Sequence, residues 1–216
     1  MTDPYAVFQQ IEKVGIIAGT RGNFPPEVML PLAQVLMEES INIFELTMNS
    51  TQPIEAMQAV KQTYGEHAYE GMGTILSIEE ARVAMDAGAD FIVSPAFDPQ
   101  VVRYVWDAGT LMIPGVITPT EAVMAWQVGI PLLKVFPIGA LGVEYFKAMF
   151  GALSHMRFMC NGAINQENAR AFINAGAVGA GVFGWLTGDG KTSLDIVRAR
   201  AQSLKTAIAQ GKSRST

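Results

Sequence analysis

A chain of 216 residues, half of them apolar and 16% charged, has enough apolar surface for a packed interior, which excludes a disordered polypeptide. The net charge of -5 supplies no basic field for nucleic acid, so an anionic ligand has to be met by locally placed cations. The length suits one α/β-barrel domain over residues 1–216, since roughly 200 to 250 residues is ordinary for that architecture.

The chain starts Met1-Thr2-Asp3-Pro4-Tyr5, with no basic segment leading into an apolar core, so no secretory signal is expected. Residues 5–13 predict a helix ahead of the first strand. Eight β-rich runs then follow, at 14–18, 41–47, 69–73, 91–95, 111–116, 132–137, 157–162 and 178–182, spaced by about 20 to 28 residues. Parallel neighbours need crossovers of a dozen or more residues, and eight such units point to a (β/α)8 TIM barrel with an extra N-terminal helix.

Ser77-Ile78-Glu79-Glu80 has the pattern of a capping box and predicts a helix that Gly88 stops; Asn165-Gln166-Glu167-Asn168 opens another, which ends at Ala175-Gly176. Glycine in Ala87-Gly88-Ala89, Ala108-Gly109-Thr110 and Ala175-Gly176-Ala177 recurs where a helix must turn back into a strand. Residues 171–188 are uncharged and hold five glycines, which predicts a helix end, a turn and a short buried strand in place of a membrane span. Met29, Met37, Met57 and Met85 read as core filling. Residues 205–216 end in a polar Gly-Lys-Ser-Arg-Ser-Thr tail that is expected to fray. A single cysteine, Cys160, cannot form an internal disulfide, which suggests the cytoplasm.

Lys134 lies in the apolar run Leu132-Leu133-Lys134-Val135-Phe136-Pro137. It is either a desolvated amine suited to attack on carbonyls or a strand-end lysine whose head reaches water. Glu45, in Ile43-Phe44-Glu45-Leu46-Thr47, poses the same choice. The second and sixth strands of an eight-strand barrel stand opposite each other, so lysine and glutamate can meet across the lumen, as a catalytic pair or as a structural ion pair. His67 and His155 form no two-histidine ligand motif, so neither a metal nor another cofactor is expected. Gly73-Thr74, Ser94-Pro95 and Asn161-Gly162-Ala163 end strands where barrel enzymes place their sites. Glycines there and at Gly184 can present backbone N–H groups to an anion, and Arg21 can clamp one bidentately.

Over residues 14–186 the chain resembles the 2-keto-3-deoxy-6-phosphogluconate and 4-hydroxy-2-oxoglutarate aldolases, which are class I barrels and usually homotrimers. The resemblance is carried in order by Phe44-Glu45-Leu46-Thr47, Gly71-Met72-Gly73-Thr74, Phe91-Ile92-Val93-Ser94-Pro95, Ile113-Pro114-Gly115-Val116 with Thr118-Pro119-Thr120-Glu121, and Leu133-Lys134-Val135-Phe136-Pro137. It implies a Schiff base on Lys134, proton transfer by Glu45, in part through water, and a pyruvyl group held by Thr74, Pro95 and Phe136. Asn49-Ser50 stands where the phosphogluconate branch carries an arginine. With Arg21-Gly22 after the first strand, it resembles the 2-keto-3-deoxy-6-phosphogalactonate branch, in which an arginine at the place of Arg21 binds substrate. Gly162-Ala163 replaces a double glycine, and Gly184, beside Phe183, replaces a serine, which weakens the expected phosphate site.

The expected activity is cleavage of a 2-keto-3-deoxy sugar acid, or of 4-hydroxy-2-oxoglutarate, to pyruvate and an aldehyde. Its partner is a small keto acid, with no nucleic acid or membrane. The rival expectations are a barrel for another sugar phosphate, such as an epimerase, and a non-catalytic metabolite-binding module.

Overall fold

The computed structural model describes residues 2–213. Its strands are β1 (Ile16–Thr20), β2 (Ile43–Thr47), β3 (Tyr69–Gly73), β4 (Phe91–Val93), β5 (Leu111–Ile113), β6 (Gly115–Val116), β7 (Leu133–Val135), β8 (Phe158–Asn161) and β9 (Gly179–Val182). The helices are α1 (Pro4–Val14), α2 (Pro26–Glu38), α3 (Pro53–Tyr64), α4 (Ile78–Asp86), α5 (Pro99–Asp107), α6 (Pro119–Gln127), α7 (Ile138–Ala152), α8 (Gln166–Asn174), α9 (Gly184–Thr187) and α10 (Leu194–Lys212). All strand pairs are parallel, in the order β5-β4-β3-β2-β1-β9-β8-β7-β6.

The fifth expected strand is two strands. Pro114 has no N–H to give a ladder, so the run divides there: Leu111–Ile113 pairs with β4 and Gly115–Val116 pairs with β7. One residue separates the two pieces, and the chain itself closes the barrel. The Pro114 carbonyl still accepts from Lys134 N at 3.0 Å. The sixth expected strand is therefore β7.

Two apolar layers follow from the strand alternation. Residues such as Ile16, Phe44, Met72 and Val135 face outward and pack under the helices. Ile17, Ile43, Phe91, Val93, Ile113, Leu132 and Met159 face inward, and Val7 and Ile11 of α1 join that cluster as a plug for one barrel mouth. Met29 and Met57 are fully buried in the outer layer, while Met37 and Met85 pack against it. Among the described residues no helix is long and apolar enough to cross a membrane.

Boundaries moved where local chemistry outweighs apolar pattern. The first expected strand began at Val14, but α1 runs through Val14 and ends on Gly15 at φ 76°, a left-handed angle that glycine takes without strain. Ser77 accepts from Glu80 N at 3.1 Å, and the Glu80 carboxylate accepts from Leu76 N, one residue before the cap. Asn165 caps α8 in a closed box with Asn168. The fraying expected of the tail over 211–216 is corrected at its start: α10 is helical to Lys212, and buried Gly211 lies against Ile173, where a Cβ would come within 2.6 Å. Residues 214–216 lie outside the described part.

One buried charge cluster sits on the outer face of β3. Glu70 is 0% exposed, Lys61 Nζ lies 3.7 Å from its carboxylate and 2.8 Å from Asp90 Oδ1, and Asp90 Oδ2 accepts from Glu70 N. Burial first, and then the Asp90 charge, push the Glu70 carboxyl up to about 8 against the pull of Lys61. The folded chain thus holds a proton here that the unfolded chain releases near the ordinary 4.5, so the contribution of Glu70 to stability is fully present below 4.5 and is lost as pH rises towards about 8. Glu70→Gln should flatten that part of the profile. Urea titrations of both proteins at pH 5 and pH 8 are the check, and equal losses would refute the assignment.

Candidate active site

Register and alternation aim Glu45 and Lys134 into the lumen from opposite walls. Glu45 lies level with Gly19 on β1 and Gly71 on β3, and Lys134 level with Gly115 and Met159. Their side chains are 1% and 4% exposed, with Lys134 Nζ 3.7 Å from Glu45 Oε1. That distance couples the charges but exceeds a hydrogen bond. The Phe136 ring centroid is 5.0 Å from the same amine. Burial raises the Glu45 pKa, and the positive charges of Lys134 and Arg21 oppose the shift.

Small residues make room for these groups. A Cβ at Gly73 would stand 2.2 Å from Glu45 Oε1, and one at Gly181 would stand 2.0 Å from Asn161 Nδ2. Gly115 admits the Pro95 carbonyl, 2.3 Å from where a Cβ would be, which fixes the Ser94-Pro95 turn beside Lys134's strand. Both carboxylate oxygens of Glu45 and both amide atoms of Asn161 are buried without a hydrogen-bond partner among the described residues. Such groups are costly unless something polar meets them, so they mark the lumen top as a place for a polar ligand.

Above them opens a cleft of about 450 Å³ whose lining includes Arg21, Lys134, Phe136, Asn161, Gly162, Ala163 and Gly184. Ala163 takes φ +54° after Gly162 at +91°, so it holds the left-handed turn that a glycine would have held. Asn168 Nδ2 supports that turn by donating to Ala163 O at 2.9 Å. Gly184 and Trp185 open α9, and their N–H groups, like all first-turn donors, have no partner within the helix. Among the described residues no group of His, Cys, Asp and Glu is arranged to hold a metal ion.

The remaining expected residues lie at or beyond the rim. Thr74, also left-handed at φ +62°, accepts from Arg21 Nη2 at 3.3 Å. Pro95 flanks the lumen without lining the cleft. Asn49 is exposed and lies outside the cleft lining. Its neighbour Ser50 has a defined contact: Ser50 Oγ accepts from Gly22 N at 3.0 Å and meets Thr47 Oγ1 at 2.7 Å, tying the Arg21 loop to β2. Phe183, Trp185 and Asn165 line the cleft, although sequence reasoning assigned Asn165 only the role of opening a helix and the two aromatic residues no part in the site. Their positions just after β8 and β9 carry the same signal as Gly162 and Gly184.

Comparison with known proteins gives the family. The sequence pattern of the family described as "Aldolase: KDPG and KHG aldolase" matches residues 12–199. The chain belongs to this family. The aldolase is 33% identical over 171 residues to the 2-dehydro-3-deoxy-6-phosphogalactonate aldolase of Escherichia coli K12, covering 79% of this chain and 83% of that one. It is also 33% identical over 171 residues to the 2-dehydro-3-deoxy-phosphogluconate aldolase of Treponema pallidum, covering 77% and 79%. A solved structure described as native KDPGal superposes with a TM-score of 0.87 at 30% identity, over 92% of this chain and 96% of that one. A designed cube-shaped cage, made by fusing symmetric oligomeric domains, superposes with a TM-score of 0.86 at 28% identity, over 94% and 75%. As an aldolase the chain is a carbon–carbon lyase, which sets aside the epimerase and binding-module readings.

Proposed function

We propose that the chain cleaves a 2-keto-3-deoxy-6-phospho sugar acid of the phosphogluconate or phosphogalactonate type, or 4-hydroxy-2-oxoglutarate, through a Schiff base on Lys134. The observation that carries this reading is the buried Lys134–Glu45 pair, 3.7 Å apart at the floor of the cleft. The neutral Lys134 amine adds to the C2 carbonyl, and loss of water from the carbinolamine gives an iminium ion. Glu45 takes the C4 hydroxyl proton, the C3–C4 bond breaks, and its electrons flow into the iminium to leave an enamine and a free aldehyde. The enamine is reprotonated at C3 from Glu45, and water returns pyruvate and the free amine. Phe136 over the amine, with Thr74 and Pro95 at the rim, would bound the pyruvyl part. Borohydride reduction in the presence of pyruvate should fix a stable adduct on Lys134, located by peptide mass analysis; an unmodified Lys134 would overturn the mechanism.

Arg21 and the backbone around Gly162-Ala163 and Gly184-Trp185 are the proposed anion donors. Ala163 keeps the glycine-like turn, so the missing serine hydroxyl at Gly184 is the main loss. A hydrogen bond to a charged group contributes about 1.5 to 3 kcal/mol, or roughly 10- to 150-fold in affinity. The kcat/KM ratio for phosphorylated over unphosphorylated 2-keto-3-deoxy acids should accordingly exceed one but stay below about 100. A preference for the unphosphorylated acid would exclude a phosphorylated substrate.

The assembly proposed is a homotrimer. Leu76, Ile78, Met124 and Leu141 expose 59%, 40%, 47% and 48% of their surface, which suits burial against a neighbouring copy. Sedimentation equilibrium should give three times 23.3 kDa, and a monomer mass would count against it. A reducing compartment, hence the cytoplasm, suits the one buried Cys160, and cell fractionation is the check.

A further inference from the structure

The Arg21 guanidinium carbon lies 5.8 Å from the centroid of the Phe183 ring, and its Nη2 donates to Thr74 Oγ1. Neither contact carries a charge, so both orient the guanidinium while leaving its charge for a ligand. The ring is itself held from beneath. Its edge occupies the place of a side chain on Gly19, with Cζ, Cε1 and Cε2 at 2.4 to 2.5 Å from where a Cβ would stand. Gly19 and Arg21 are two residues apart, so on an extended chain they share a face, and the arginine rises where the ring lies.

The segment bearing the ring is anchored to the same strand. Phe183 O accepts from Leu186 N and Thr187 N, and Thr187 Oγ1 donates to Gly19 O at 2.7 Å in a buried contact. The loop after β9 is thereby fixed to β1 at the one residue whose missing side chain admits the ring. An otherwise exposed arginine would sample many rotamers and lose them on binding an anion; stacked on a fixed ring, it has lost them beforehand.

We propose that Phe183 is the positioning residue for Arg21, holding the guanidinium over the cleft to receive the anionic group of the substrate. The inference rests on the reading of Arg21 as an anion clamp. Phe183 acts through Arg21 and takes no part in bond breaking. A leucine at 183 fills part of the volume but offers no π face, so the arginine regains its freedom.

Steady-state kinetics with 2-keto-3-deoxy-6-phosphogalactonate test this in four proteins: wild type, Phe183→Leu, Arg21→Ala and the double variant, with folding followed by circular dichroism. Phe183→Leu should raise KM about 2- to 5-fold, the range of an exposed cation–π contact, with kcat unchanged. In the Arg21→Ala background the same change should alter kcat/KM by less than about twofold, because the group it positions is gone. Independent, multiplying losses, or a loss confined to kcat, would overturn the inference and leave the ring acting on substrate directly. If Arg21→Ala alone changes nothing, the clamp reading falls and this inference with it. Should Phe183→Leu fail to fold, Gly19→Ala carries the same test, since its Cβ displaces the ring without removing it.

Discussion

Lys134→Ala is expected to reduce cleavage by roughly 10^4-fold or more, since the residue that forms the covalent intermediate has no substitute in the site. Its neighbours Leu133 and Val135 point outward into the main core, so the strand keeps its packing when the amine goes. The change does leave Glu45 buried without its near cation, and the carboxyl answers by holding its proton more firmly. Lys134→Met keeps most of the stem volume and separates the two effects: both variants should be inactive, and methionine should be the more stable. Single-turnover assays and thermal melts measure them. Turnover within tenfold of wild type in either variant would exclude an imine on Lys134, and so would borohydride-dependent pyruvate incorporation that survives the substitution.

Much of this was legible in the chain because barrels repeat a unit with audible punctuation. Each Ala-Gly-Ala or Ala-Gly-Thr break marked a helix end, and the strands that followed were found to within a few residues. Opposition of Glu45 and Lys134 was legible too, because strand number and alternation fix which residues share a layer. Division of the fifth run at Pro114 was open to reading from proline's missing N–H, yet apolar content alone masked it. Other features depend on partners remote in sequence. The Phe183 ring has its place only because Gly19 lacks a side chain, and Glu70 is perturbed only because folding brings Asp90 and Lys61 to it. Asn49 and Ser50 show what a motif leaves unsaid: the asparagine is exposed and outside the cleft lining, and the serine ties two loops together through partners remote in sequence.

Glu45→Gln should lower turnover by roughly 10^2- to 10^4-fold while leaving pyruvate trapping on Lys134 intact, because the amide keeps the side chain's shape but cannot take up the C4 hydroxyl proton. Shape matters here, since the glutamate fills the space that Gly73 leaves and a smaller residue would open a void beside the amine. The pH profile gives the sharper test. Burial raises the Glu45 pKa, so the ionised form that accepts a proton is lost on the acid side at a higher pH than an ordinary carboxylate would show. Wild-type kcat for cleavage should therefore decline on acidification from above the usual carboxylate range, and that limb should be absent in Glu45→Gln. Comparing the two profiles isolates the carboxylate. A loss below tenfold, or an acid limb unchanged by the substitution, would make Glu45 a structural counter-ion and require another group to move the proton.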